Sequence, residues 1–84
     1  MIRNLETFIT VAQLLNFGEA ARSLNYSQST VSEQIRSLEE ELQTRLFERI
    51  GRKVFLTKQG ETLLPYAKRL LKDAENLKVL FKSE

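Results

Sequence analysis

The sequence contains no cysteine and no histidine, and the two absences exclude whole classes of chemistry. Without cysteine, disulfide bonds and thiolate metal sites cannot form. Without histidine as well, the usual side chains of general-base catalysis, nucleophilic catalysis and transition-metal binding are missing. No apolar run approaches the roughly 18 residues of a membrane span, and the first residues show no secretory signal pattern. We therefore expect a cytoplasmic protein that is not an enzyme and that holds no metal and no cofactor.

Residues that interrupt helices and strands are also scarce, since the 84 residues include one proline and three glycines. This scarcity favours helices joined by short turns. A chain of this length forms a single domain and buries only about 60–65% of its unfolded surface, so it can build one compact core.

Charge is distributed unevenly along the chain. Residues 1–42 hold three basic and six acidic residues (net −3), whereas residues 43–84 hold ten basic and five acidic residues (net +5). Residues 45–58 contain one acidic residue, Glu48, and five basic residues: Arg45, Arg49, Arg52, Lys53 and Lys58. Such a patch suits a polyanion. Charge alone favours the interpretation of the patch as an ordinary solvated surface. Its assignment to a binding site therefore depends on its structural context.

Three helices are predicted in the first half of the chain. Apolar residues at spacings of three and four mark one face over residues 2–15: Leu5, Phe8, Ile9, Ala12 and Leu15. A break at 16–18 precedes a short helix over 18–24. After a turn at 25–27, a third helix runs from Gln28 to about Leu42 and buries Val31, Ile35, Leu38 and Leu42. The second and third helices form a helix-turn-helix signature over about 18–37.

The second half predicts a hairpin and a long helix. Residues 48–50 and 54–56 resemble two short strands around Gly51-Arg52-Lys53. Thr57 is the predicted N-cap of a helix over 58–82, about 37 Å long. Its apolar stripe has heptad spacing: Leu63, Ala67, Leu70, Ala74, Leu77 and Phe81. These six residues are the predicted dimerisation residues of a homodimer. A body this small can cover only the first half of the stripe, so part of it must contact a second chain.

The exposed face of the third helix is a candidate for reading DNA. Its first turns are rich in short hydrogen-bonding side chains suited to base edges and phosphates: Gln28, Ser29, Thr30 and Ser32. These residues could instead be ordinary caps and helix starters, which is the reading we accept for Ser27 alone. A helix-turn-helix followed by a basic two-stranded wing favours DNA, with the helix in the major groove. Arg52 and Lys53 would then reach the backbone or the minor groove.

Several segments in one register resemble the LysR-type transcriptional regulators. They are Phe17-Gly18-Glu19-Ala20-Ala21-Arg22-Ser23-Leu24, Ser27-Gln28-Ser29-Thr30-Val31-Ser32, Gln34-Ile35-Arg36-Ser37-Leu38-Glu39, Leu46-Phe47-Glu48-Arg49 and Leu56-Thr57 with Gly60. The resemblance implies a mainly α fold: a winged helix-turn-helix over 1–57, with a three-helix core and two-stranded wing, followed by a linker and dimerisation helix over 58–84. It also implies that a C-terminal domain binding a small-molecule effector is absent from this chain. The DNA partner would be a pseudo-palindromic operator and the full-length protein a tetramer.

The resemblance also implies roles for individual residues. Gln28, Ser29, Ser32 and Glu33 fall where the family's recognition helix meets bases and nearby phosphates, and Arg52 falls at the minor-groove position of the wing. Phosphate-contacting or positioning sites correspond to Ser27, Arg36, Arg49 and Thr57. Position 33 is often basic in the family and is acidic here. Glu33 could accept a hydrogen bond from cytosine N4, or it could pair with Arg36 or Arg22 and orient that arginine.

Two other functions are weighed against DNA binding. A coiled-coil dimerisation module would need no basic hairpin, yet the basic hairpin is present. A small enzyme acting on a phosphorylated ligand would be expected to show a glycine-rich phosphate loop, a metal cluster or a carboxylate pair, and the sequence shows none of these motifs.

Overall fold

A computed structural model describes residues 1–82 of the chain and contains four helices and one β-hairpin. The elements are α1 (Ile2–Leu14), α2 (Phe17–Leu24), α3 (Gln28–Leu42), β1 (Phe47–Ile50), β2 (Lys53–Leu56) and α4 (Lys58–Lys82). The strands pair antiparallel. The predicted mainly α winged helix-turn-helix with a long final helix is confirmed. The last two residues of the predicted linker, 83–84, lie outside the described residues.

The core lies where α1, α2 and α3 meet the first residue of the hairpin. Its largest fully buried apolar side chains are Phe8, Leu5, Leu38, Leu46, Val11 and Val31. The ring of Phe47 lies 5.5 Å from Phe8 and 5.8 Å from Phe17, measured between centroids. Tilted and edge-on aromatic contacts of this kind add to the free energy gained by burial. The wing is therefore anchored in the same core as the helices.

The helix ends differ from the predicted ends by a residue, for local reasons. The side chain of Asn16 accepts a hydrogen bond from the amide of Glu19 at 2.8 Å, so α2 begins at Phe17 rather than at 18. Leu15 is the left-handed C-cap of α1, with φ 50°. Leu15 therefore does not continue the helical face predicted over residues 2–15, and its side chain is exposed. Leu42, the last residue of α3, is also exposed.

A buried polar contact fixes α3 on α1. Thr7 is fully buried, and its hydroxyl donates a hydrogen bond of 2.5 Å to the Gln34 side-chain oxygen on α3. A buried hydroxyl that lost this partner would carry a desolvation cost, so the contact favours one rotation of α3 about its axis. The outer face of α3 is set by this contact together with the buried side chains of Val31, Ile35 and Leu38.

The hairpin is tighter than the sequence predicts. Ile50 pairs with Lys53, so each strand is one residue longer than predicted and Lys53 belongs to β2 rather than to the turn. Gly51 has a φ of 63°. A two-residue turn needs a positive φ at its first position, which glycine adopts without a steric penalty. Arg52 therefore occupies the tip of the wing.

The start of α4 lies directly on the segment that leads into β1. The Thr57 hydroxyl accepts a hydrogen bond from the Gly60 amide at 3.0 Å, which confirms the predicted N-cap. The same hydroxyl donates to the Arg45 carbonyl at 2.6 Å, and the Thr57 amide donates to the Leu46 carbonyl at 3.0 Å. A Cβ on Gly60 would lie 2.4 Å from the Leu46 carbonyl oxygen. Only glycine allows so close an approach.

None of the helices within residues 1–82 is both long enough and apolar enough to cross a membrane.

Candidate nucleic-acid interface

The hydroxyl groups at the start of α3 form a small network. The Ser27 oxygen accepts a hydrogen bond from the Thr30 amide at 3.1 Å. It also lies 2.9 Å from the Thr30 hydroxyl and 3.1 Å from the Ser29 hydroxyl. Gln28 and Ser29 are exposed at the same helix end, whereas Thr30 is half-buried. Ser27 and Thr30 thus stabilise the helix start, and Gln28 and Ser29 present polar groups outward.

The outer face of α3 carries an ion-pair cluster around Arg36. Its guanidinium donates a hydrogen bond to Glu33, and its Nη1 lies 3.9 Å from the Glu40 Oε2. The hydrogen bond from Arg36 to Glu33, followed by the attraction of the two carboxylates, raises the pKa of the Arg36 guanidinium. All three side chains are exposed. Arg36 is therefore oriented by its own helix and remains accessible to a large ligand.

Arg49 projects from the inner face of the wing toward α2. Its guanidinium carbon lies 4.4 Å from the centre of the Phe17 ring, in a cation–π arrangement. Phe17 is almost fully buried, while Arg49 stays exposed. The arginine is thus held against the body of the domain with its charge at the surface.

A groove of about 630 Å³ separates α3 from β1. Three predicted contact residues line it: Ser32, Arg36 and Arg49. Apolar groups of Phe17, Ile35 and Phe47 form part of its wall. The structure therefore brings together residues from the recognition helix and the wing that are up to 17 positions apart in the sequence. The charged residues that line it are three arginines and two glutamates: Arg36, Arg45, Arg49, Glu39 and Glu40. Arginines along an open groove suit a run of phosphates.

The wing tip presents further positive charge. Arg52 and Lys53 are exposed, and within residues 1–82 neither side chain forms an ion pair. A cation without a carboxylate partner retains its full charge for a ligand. The geometry thus agrees with the predicted role of the wing.

The Thr57 hydroxyl has hydrogen-bond partners within the chain. A hydroxyl has one proton to donate, and Thr57 donates it to the Arg45 carbonyl. Its oxygen also accepts from the Gly60 amide. Thr57 thus joins the wing to α4, and its predicted role as a phosphate-contacting or positioning residue stays a prediction.

Sequence reasoning missed two residues that support this surface, Phe17 and Glu39. The Glu39 carboxylate is 16% exposed and accepts hydrogen bonds from the Leu46 and Phe47 amides at 2.8 and 3.4 Å. Its Oε2 also lies 3.8 Å from the Arg45 Nε. Glu39 thus joins α3 to the wing. Its place about 80° from Val31 on the helix, at the edge of the buried stripe, is a signal that could have revealed it.

The predicted dimer stripe of α4 divides between two roles. Ala67 is 0% exposed, so it packs on its own chain and the prediction that it contacts a second chain is wrong. Leu63 and Ala74 are half-buried. Leu70, Leu77 and Phe81 are exposed, the last two at 59% and 80%. A shallow groove of mainly apolar residues lies between α4 and Ile2, where Leu70, Ala74 and Leu77 line it.

Comparisons with known proteins agree with this geometry. Residues 2–61 match the family described as "Bacterial regulatory helix-turn-helix protein, lysR family". The chain is 50% identical over 72 residues to the HTH-type transcriptional regulator CitR of Bacillus subtilis, an alignment that covers 86% of this chain and 25% of CitR. It is 46% identical over 78 residues to the uncharacterized HTH-type transcriptional regulator YwqM of the same organism, covering 93% of this chain and 27% of YwqM.

A similar fold occurs in the crystal structure of the CbnR DBD–DNA complex. That structure matches with a TM-score of 0.92 and 34% identity, over 98% of this chain and 94% of the CbnR chain. The present chain spans only about a quarter of the length of the curated relatives named above. These likenesses confirm the predicted resemblance, and they agree with a regulator rather than an enzyme. The chain belongs to the LysR family of bacterial regulatory helix-turn-helix proteins, as a DNA-binding domain.

Proposed function

We propose that this chain is the DNA-reading part of a dimeric transcriptional regulator that binds a pseudo-palindromic site on double-stranded DNA. In this proposal α3 enters the major groove, and the wing lies on the backbone and in the adjoining minor groove. The observation that carries the proposal is the groove between α3 and β1, which Arg36 and Arg49 both line, with Arg52 exposed at the tip of the same hairpin. The CbnR DBD–DNA complex, similar over 98% of this chain, supports it.

Base reading is assigned to polar residues at the start of α3, of which Gln28 and Ser29 are exposed and Ser32 is half-buried. A glutamine such as Gln28 can pair with the N6 and N7 groups of adenine, and the short side chains Ser29 and Ser32 suit either bases or phosphates. The exposed amides of the first helical turn attract phosphate oxygens as well. Phosphate contacts from arginines on both sides of the groove would fix the register of α3 on the duplex.

The role of Glu33 follows from its contact with Arg36. In the DNA-free chain the carboxylate already accepts a hydrogen bond from the guanidinium. We therefore favour the orienting role for Glu33 over direct pairing with cytosine, because direct reading would require this ion pair to break or to be shared.

Dimerisation is assigned to the second half of α4. Leu70, Leu77 and Phe81 extend the apolar stripe beyond the part that the body covers. Two copies joined through this stripe would hold two α3 helices at a fixed separation, and dimers of helix-turn-helix domains commonly read half-sites about 34–36 Å apart. The remainder of a full-length protein would bind a small-molecule effector and form a tetramer in the cytoplasm, in agreement with relatives about four times as long as this chain.

Selection of bound sequences from random DNA tests the proposal directly. We expect a dyad-symmetric consensus, bound with an affinity that falls steeply as the salt concentration rises. A variant with Arg36, Arg49 and Arg52 all changed to Gln is the matched control, and it should enrich no sequence while it melts at a similar temperature. Equal recovery of random DNA by the wild type and this variant would contradict the proposal and favour a dimerisation module without DNA binding.

A further inference from the structure

The stacking of Arg49 on Phe17 joins two elements that are remote in sequence. Phe17 is the first residue of α2 and is 7% exposed, whereas Arg49 lies on β1 and is exposed. The Phe17 ring meets the edge of Phe47, which in turn packs on Phe8. The platform beneath the guanidinium is therefore fixed by the aromatic core. Because the Phe17 ring is fixed in the core, it cannot move with the Arg49 side chain. The ring therefore restricts the position of the arginine.

We infer that Phe17 is a positioning residue for DNA binding, acting through Arg49. This inference rests on the proposed function, since it assigns the Arg49 guanidinium to a DNA phosphate. A guanidinium that stacks one face on a ring keeps its in-plane N–H groups for a bidentate contact with phosphate oxygens. Because the side chain is already ordered, less rotamer freedom is lost when the phosphate binds.

The position of the pair favours this role over simple covering of the core. Phe17 and Arg49 line the groove together with Ser32 and Arg36, which belong to the recognition helix. A phosphate in that groove would lie between the Arg36 guanidinium, which α3 positions, and the Arg49 guanidinium, which Phe17 positions. The stack would thereby fix the wing-side wall of the groove relative to α2 and the recognition helix.

Nuclear magnetic resonance of the DNA-free protein tests the stack itself. We expect the Arg49 side-chain Nε–H signal to carry an upfield ring-current shift, which Phe17→Leu removes and Phe17→Tyr keeps. Tyr66→Leu is the matched control, because Tyr66 lies 5.9 Å from the Arg69 guanidinium carbon on α4, and it should leave the Arg49 signal unchanged. An Arg49 signal that is the same in the wild type and in Phe17→Leu would overturn the inference.

A double-mutant cycle on a selected DNA site tests the role in binding. We expect Phe17→Leu to weaken binding about threefold with an unchanged salt slope, since the charge remains. Arg49→Gln should weaken binding further and reduce the slope by about one. The double variant should bind as Arg49→Gln alone. Should Phe17→Leu weaken binding by the same factor in both backgrounds, Phe17 acts through the fold and the inference fails.

Arg49→Lys tests the inference independently if Phe17→Leu does not fold. It keeps the charge and the intact Phe17 but loses the planar stack, so its affinity should fall by a factor similar to that of Phe17→Leu, with the slope retained. Wild-type affinity in Arg49→Lys would overturn the positioning role. A wild type that binds no selected DNA would overturn the proposed function instead, and the two failures are therefore distinguishable.

Discussion

The polar residues around the start of α3 perform different tasks that residue type alone does not separate. Ser27 and Thr30 hydrogen-bond to each other and to the helix start, whereas Gln28 and Ser29 face outward. Sequence periodicity predicts the face of each residue, because a helix has a fixed angular step. It does not predict the partner of a hydroxyl when that partner comes from another element. For this reason the cap at Ser27 could be predicted, whereas the internal contact of Thr57 with Arg45, twelve positions away, could not.

Substitution of Glu33 separates its two possible roles. If the carboxylate orients Arg36, Glu33→Gln and Glu33→Ala should change affinity by a similar factor on every DNA sequence. Direct reading of cytosine would instead relax the preference at one base pair by about 1–3 kcal/mol. Binding-site selection with the wild type and both variants checks this, with Glu41→Gln on the same helix as the control. A shift in preference confined to one position would contradict the orienting role.

Gly60→Ala should destabilise the domain. The added Cβ would lie 2.4 Å from the Leu46 carbonyl oxygen, a backbone atom that no side-chain rotation can move away. Overpacking of this kind costs about 1–3 kcal/mol, and each kcal/mol lowers the melting temperature by about 4–8 °C in a domain of this size. Thermal unfolding followed by circular dichroism measures the change. Gly18→Ala is the control, because its nearest neighbours are side-chain atoms at 3.3 and 3.5 Å, and its melting temperature should fall much less.

Among the elements, the hairpin depends most on distant contacts. The bounds of α2, α3 and α4 follow from local caps and apolar spacing, and the sequence predicts them to within a residue. The orientation of the wing depends on residues 45–47, which Glu39 holds from α3 and Thr57 holds from α4. These contacts join positions 7 to 12 apart, and no helical or strand period connects them. The wing itself was predictable, whereas its attachment was not.

Glu39→Gln should lower the free energy of unfolding by about 1–2 kcal/mol. The ionised carboxylate accepts hydrogen bonds from two amides of the wing junction, and hydrogen bonds to a charged group are stronger than neutral ones. Equilibrium unfolding in urea measures the difference. The neighbouring Glu40→Gln is a matched control, because its side chain is 72% exposed, and its effect should stay within about 0.5 kcal/mol. Equal effects of the two variants would contradict the attachment described above.

Arg52→Ala tests the contribution of the wing tip. We expect weaker DNA binding and a salt slope reduced by about one, because one phosphate-neutralising cation is removed. Folding should be unaffected, since Arg52 is exposed and forms no ion pair within residues 1–82. Fluorescence anisotropy at several salt concentrations measures both quantities, with Lys78→Ala on the distal half of α4 as the control. Unchanged affinity and slope would exclude the wing from the interface.

At the scale of the whole molecule, the length of α4 is the dominant feature. The principal extents are 52, 26 and 19 Å, so the 25-residue helix reaches beyond the rest of the fold. Its length was predictable from residue count, and the prediction of a second chain followed from it. The prediction that the body covers only the first half of the stripe agrees with the buried Ala67 and the exposed Leu77, which occupy the same face in the heptad pattern.

Leu77→Glu should produce a monomer if the distal stripe joins two chains. The carboxylate would lie against the apolar face of the partner, where burial of an unpaired charge is costly. Sedimentation velocity measures the change, and the folded monomer should keep its helix content because Leu77 is 59% exposed in the single chain. Val79→Glu is the control, since Val79 lies about 160° away around the helix and is similarly exposed. A dimer in Leu77→Glu would place the interface elsewhere.

The contact at Gly60 also bears on how α4 and the hairpin can move relative to each other. Backbone meets backbone there, with no deformable side chain between α4 and the residue that precedes Phe47. This close approach leaves little room for α4 to rotate independently of residues 45–47. Thr57 hydrogen-bonds to the same segment, so the helix start and the hairpin are linked at a second point. If two chains pair through α4 as proposed, the angle between the two α4 helices would therefore also affect the angle at which each wing meets the minor groove.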